Sequence, residues 1–193
     1  MEYDIKSIKA KLKEVLTAKR YEHTIGVAYT AMCLAMSYGA DLKKAEIAGL
    51  LHDNAKCMSD EKLLKKCIKN NISISNIEKE QPYLLHAKLG AFYAREKYGI
   101  DDNEIISAIY YHTTGCPGMT MLEKIIYVAD YIEPGRDKAQ NLPQIRKMSF
   151  SDIDTAVCMI AGDTLGYLGS GKHKTDEMTI KTYEYYKNIA EQL

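Results

Sequence analysis

No stretch of this 193-residue sequence approaches the roughly 20 apolar residues that a membrane-spanning helix needs, so no membrane partner is expected. The opening residues Met1-Glu2-Tyr3-Asp4-Ile5-Lys6 are charged and lack the apolar run of a secretory leader. Net charge is missing too. The 26 Lys and Arg residues balance 26 Asp and Glu residues, which removes the electrostatic argument for an extended nucleic-acid footprint. A small local cluster of cations facing a phosphate is still allowed. The five cysteines, Cys33, Cys57, Cys67, Cys116 and Cys158, are odd in number and never spaced as Cys-x-x-Cys. That pattern argues against a disulfide framework or a thiolate zinc site and fits reduced thiols in a cytoplasmic protein better.

Strand signals are absent as well: no run alternates β-branched with polar residues, and almost every segment reads with helical period. Helices are predicted over about 4–17, 20–38, 41–52, 60–69, 84–98, 102–113, 120–132, 150–168 and 176–191. Pro82, Pro117, Pro134 and Pro143 fall outside them, and 133–148 reads as a long loop. With no internal repeat and no linker, the expectation is an all-α helical bundle in one domain, 1–193. Its functional core lies at about 18–135 and its C-terminal helices at about 150–193.

The boundary signals have mechanisms. Gly39 and Gly99 follow apolar helical runs and suit the left-handed position just past a helix. Asp41 and Asp101 or Asp102 can cap the helices that come next. Thr120 and Glu123 have the spacing of a capping box.

Chemistry enters with the histidines. His23, His52, His86 and His112 lie on or at the end of apolar helices, and small residues accompany most of them: Gly26, Ala45, Ala48, Gly49, Gly90 and Ala94. One such histidine is ordinary helix packing. The His52-Asp53 pair is less easily dismissed, because it ends the apolar segment Ile47–Leu51, where an ionised aspartate needs a partner. Adjacent helical residues point ~100° apart, so both reach one ion only near a helix end or between helices. Asp130 repeats the problem inside the apolar run Ile125–Ile132; a metal or an ion pair to Arg136 would answer it. Imidazole with carboxylate suits zinc, iron, manganese or cobalt better than calcium.

The order His23, His52-Asp53, Asp130 resembles the metal signature of the HD superfamily of phosphohydrolases. Arg20-Tyr21-Glu22-His23, Gly49–Asp53, His112-Thr113-Thr114-Gly115 and Leu122–Arg136 resemble its YqeK branch. The resemblance implies a helical HD-domain bundle, a metal (iron first) on His23, His52, Asp53 and Asp130, and symmetrical hydrolysis of dinucleoside tetraphosphates. It implies a nucleotide partner and leaves room for a homodimer. Asp53 is also a candidate to orient the attacking water. For His86 and His112, phosphate contact with acid catalysis is favoured over a second metal, because imidazole titrates near the working pH. Arg20, Lys56 and Arg136 are candidate phosphate cations. His173, Lys174 and Thr175, ahead of the last helix, are candidates to approach the nucleotide. Two alternatives stay open: another HD phosphohydrolase (nucleotidase, cyclic-dinucleotide phosphodiesterase or guanosine-tetraphosphate hydrolase) or a non-catalytic nucleotide-binding module.

Overall fold

Helices begin where a side-chain oxygen can cap an apolar-periodic run. The computed structural model describes residues 3–139, 141–169 and 174–191. Among these residues the chain forms α1 (Ile5–Val15), α2 (Ala18–Tyr38), α3 (Leu42–Leu51), α4 (Asp60–Lys69), α5 (Asn76–Glu80) and α6 (Leu85–Tyr98). They are followed by α7 (Asn103–Tyr111), α8 (Met121–Ile132), α9 (Leu142–Met148), α10 (Ile153–Gly169) and α11 (Glu177–Ala190). A 3₁₀ turn (Pro82–Leu84) leads into α6, and the described residues contain no strand. Asp41 and Asp102 cap α3 and α7, and Thr120 with Glu123 closes a reciprocal capping box on α8. Gly39 and Gly99, at φ 66° and 68°, end α2 and α6.

The expected loop over 133–148 is corrected. Its second half is helix α9, with Pro143 in the first turn, where a missing N–H is no loss, and with Leu142 and Ile145 buried. The 5-residue α5 was likewise not foreseen, being shorter than the window in which helical periodicity registers.

The middle of the bundle is α3, whose second half is apolar all round, with Ala45 and Ile47 to Leu51 buried. It packs on α2, α7 and α8. At the α2 crossing, a Cβ on Gly49 would lie 2.7 Å from the Ala28 Cα, so glycine sets how closely the two helices meet. α6 packs on α7, α10 on α8 and α11 on α10, so one core runs from Ile8 to Tyr186. A smaller core joins α4 to α6 through Leu63, Cys67, Leu85, Leu89 and Tyr93. All five cysteines are free thiols. No helix among the described residues is long and apolar enough to cross a membrane. The bundle thus brings the ends of α3, α7 and α8, the second turn of α2 and the first turn of α6 to one place.

Candidate metal centre

Five helices deliver the site. His23 comes from the start of α2, and His52 is the C-terminal cap residue of α3. Asp53 lies in the turn after His52, and His112 is the corresponding cap residue of α7. His86 lies in the first turn of α6, and Asp130 near the end of α8. Because α3 stops at Leu51, His52 and Asp53 can converge instead of diverging around a helix. Asn54 secures that turn, donating to the carbonyls of Leu51 at 2.8 Å and Gly90 at 2.9 Å.

The donor atoms form two groups. His23, His52 and Asp130 offer ligand atoms that all lie within 4.8 Å of one another, and so do Asp53, His86 and His112. Asp53 stands between the groups. Its Oδ2 faces the first, 3.5 Å from His52 Nε2 and 3.9 Å from His23 Nε2. Its Oδ1 faces the second, 3.3 Å from His86 Nε2 and 3.5 Å from His112 Nε2. Asp130 Oδ1 is 3.0 Å from His23 Nε2 and 3.8 Å from His52 Nε2.

The tautomers follow from the other ring nitrogens. The Nδ1 atoms of His52, His86 and His112 lie 2.7, 2.5 and 2.7 Å from the carbonyls of Gly49, Tyr83 and Ile109, each three residues back along the chain. A carbonyl only accepts, so each Nδ1 carries the proton and each Nε2 turns a lone pair inward. His23 differs: its Nδ1 is 3.1 Å from the Glu133 carboxylate. Acceptors therefore converge on acceptors. The Nε2 atoms of His23 and His52 and Oδ1 of Asp53 are buried without a hydrogen-bond partner, near one another but misaligned for bonding. Orphaned buried acceptors of this kind call for a cation, and a nitrogen-and-carboxylate donor set without thiolate fits a transition metal.

Charge points the same way. Burial works to raise the Asp53 pKa, but its interactions with His52, then with His112 and His86, hold it well below the ordinary carboxylate range. For Asp130, His23, His52 and Arg136 together outweigh burial and hold the carboxyl well below that range. Burial, then the Lys56 ammonium, push the His86 pKa down to about 4, so its imidazole is neutral at working pH.

Cations ring the carboxylates. Arg20 Nη1 donates to Asp53 Oδ2 at 2.8 Å, and Arg136 donates to Asp130 Oδ1 at 2.9 Å and to its carbonyl at 3.1 Å. Lys56 Nζ lies 3.1 Å from His86 Nε2. Lys174 engages elsewhere, pairing with Glu80 at 2.7 Å, while its carbonyl accepts from Gln81 Nε2 at 2.7 Å. Thr175 precedes Asp176, which caps α11, and His173 lies outside the described residues.

Two residues of the quoted motifs receive no role from sequence alone. The Thr113 hydroxyl sits 3.2 Å from His86 Nε2 and 3.1 Å from His112 Nε2. Glu133, 4% exposed, holds His23. It stands in the Leu122–Arg136 motif that carries the family resemblance, directly after an apolar helix and before a proline.

Comparison with known proteins agrees with this geometry. Residues 20–135 match the HD domain. The symmetrical bis(5'-nucleosyl)-tetraphosphatase of Bacillus subtilis is 40% identical, over 91% of this chain and 94% of its own. The protein of the same name from Halalkalibacterium halodurans is 41% identical, over 89% and 91%. A crystal structure from Clostridium acetobutylicum, described as a predicted HD superfamily hydrolase involved in NAD metabolism, superposes with a TM-score of 0.93. It is 36% identical, and the match covers 98% of this chain and all of that one.

Proposed function

The chain belongs to the HD domain family, and from that premise we propose that it is a metal-dependent hydrolase acting on dinucleoside tetraphosphates. It cuts diadenosine tetraphosphate at the central bridge and releases two ADP. The observation that carries the metal reading is the placement of Asp53 between two sets of inward-facing acceptors. The relatives matched over about nine-tenths of both chains support the substrate.

His23, His52 and Asp130, with Asp53 Oδ2, would hold one metal ion. Asp53 Oδ1, His86 and His112 would hold a second. The Nε2 atoms of His86 and His112, 3.1 Å apart, both face Asp53 Oδ1 at 3.3 and 3.5 Å, and this convergence of donor atoms favours a second metal over direct phosphate contact by these histidines. The low pKa of His86 agrees, since it leaves no proton to give as a general acid. The all-nitrogen-and-oxygen donor set suits iron, manganese, cobalt or zinc, and the family resemblance puts iron first. Bound metal supplies a Lewis acid that acidifies water and draws charge from phosphoryl oxygens.

The chain supplies position. Arg20 and Arg136 are each tied to a buried carboxylate yet keep part of the guanidinium at the surface, with side chains 32% and 44% exposed. Such tethered forks can grip phosphate oxygens without losing their place, and Lys56 adds a point charge on the other side. One nucleoside diphosphate half held by these cations sets the bridge between the second and third phosphates over Asp53. Water then adds its oxygen to one inner phosphorus, the bridging bond breaks, and the bridging oxygen leaves with the second ADP. The Lys174–Gln81 link ties the 174–176 segment to the turn ahead of His86, which supports a nucleoside contact there. The main core running from Ile8 to Tyr186 supports one domain, and the free thiols support a cytoplasmic setting.

The test is chromatography of the products from diadenosine tetraphosphate with the metal-loaded protein. ADP alone is expected. ATP with AMP would refute the symmetrical assignment.

A further inference from the structure

His23 is the odd member of the histidine set. Three of the four site imidazoles rest their Nδ1 protons on neutral carbonyls of their own chain segments, whereas His23 rests on a carboxylate 110 residues away. We infer that Glu133 is a positioning residue that fixes His23 in the Nδ1-protonated form and aims its Nε2 lone pair into the first group. This inference rests on the reading of His23 as a metal ligand.

The carboxylate is built in rather than incidental. Glu133 follows the last residue of α8 and precedes Pro134, which drives it out of helical conformation to φ −50° and ψ 149°. Its backbone N–H still closes on the Ala129 carbonyl, so the departure is sharp. The carboxylate then occupies a cradle made by two glycines. A Cβ on Gly26, three residues after His23, would lie 2.7 Å from Glu133 Oε2, and one on Gly135 would lie 3.0 Å from it. The Gly135 N–H donates to the same oxygen at 2.6 Å, and the Glu133 carbonyl is held by Arg146 at 2.8 Å. With Oε2 committed to Gly135, Oε1 has one task, to accept the His23 Nδ1 proton at 3.1 Å. The Nε2 lone pair then faces the first metal group, where it has no hydrogen-bond partner. A carboxylate behind a ligating imidazole fixes its tautomer and raises its basicity.

The amide of glutamine cannot do the same work. It has one acceptor atom, and both Gly135 N–H and His23 Nδ1–H require one. Either a donor faces the Gly135 N–H, or the amide NH₂ faces His23 and drives the proton to Nε2, where it blocks the metal. Glu133→Gln is nearly isosteric, so it separates this role from packing.

The experiment uses the full chain and zinc, in competition with a chromophoric chelator, with the ¹⁵N shifts of His23 read by NMR. For Glu133→Gln, zinc at the first group should bind about 10- to 100-fold more weakly, and the His23 proton should move from Nδ1. Gly26→Ala, which leaves Glu133 chemically intact but displaces its carboxylate, should weaken binding in the same sense. Wild-type affinity and an unchanged His23 tautomer in Glu133→Gln would overturn the inference. His23→Ala tests the underlying reading separately: if it keeps full zinc at the first group, His23 is no ligand. If it loses that zinc while Glu133→Gln does not, only the role of Glu133 fails.

Discussion

The two halves of the centre share Asp53 and two histidines apiece, yet they are furnished differently. In the first half, the Nε2 atoms of His23 and His52 are buried with no hydrogen-bond donor aligned on them. In the second, the chain brings donors of its own: Lys56 Nζ at 3.1 Å from His86 Nε2, and the Thr113 hydroxyl within 3.2 Å of both imidazoles. An empty first half leaves acceptors unsatisfied, so it needs an ion. The second half can quiet its acceptors without one, so an ion there competes with an ammonium. The difference teaches that one site can be built for retention and its neighbour for exchange, from the same residue types.

Breaking what the halves share should have the largest effect. Asp53→Ala removes the carboxylate that both groups use and strands the Arg20 guanidinium. Bound metal should fall at both positions and turnover by at least about 10³-fold, as loss of several kcal/mol of charge stabilisation implies. Next comes Asp130→Ala, which should empty the first half selectively; elemental analysis together with steady-state rates checks it. His86→Ala and His112→Ala should each cost about one metal per chain and lower turnover about 10²-fold while leaving the first metal in place. Loss of all metal in either variant would show that the halves are not separable in this way. Lys56→Ala should have the smallest effect and the most particular one. Removing the competing ammonium should strengthen metal binding in the second half, while KM for diadenosine tetraphosphate rises as a phosphate contact is lost. Equilibrium dialysis and initial rates read the two changes separately.

Metal removal also sharpens the comparison through stability. An ion that binds only the folded chain stabilises it by about 2.7 kcal/mol at a hundredfold excess over its Kd. Chelation should therefore lower Tm, and most of the drop should persist in His86→Ala and vanish in Asp130→Ala.

How much of this was readable beforehand depends on the range of the interaction. Local signals were legible: the caps at Asp41, Asp102 and Thr120–Glu123, and the stops at Gly39 and Gly99, each lie within a few residues of what they control. The buried ionisable residues His52, Asp53 and Asp130 stood out because their apolar company demanded a partner. What stayed hidden was nonlocal. Nothing in the chain announces that His86 and His112 end 3.1 Å apart, or that Glu133 reaches His23 across 110 positions. Helix α9 was concealed by composition, since Pro143 reads as a loop until Leu142 and Ile145 find a core to enter. The role of His86 also depends on depth. Imidazole's ordinary pKa suggests an acid catalyst, while burial and Lys56 lower it in the folded chain.

The central claim is that Asp53 joins two unequal metal positions. It is tested most directly by counting metal per chain in protein dialysed against a graded series of chelator concentrations. The account predicts a two-step loss, with one ion leaving at low chelator and the second held to much higher concentration. In His86→Ala only the second, high-chelator step should remain. A single step releasing all metal in the wild-type protein, unchanged in His86→Ala, would contradict it.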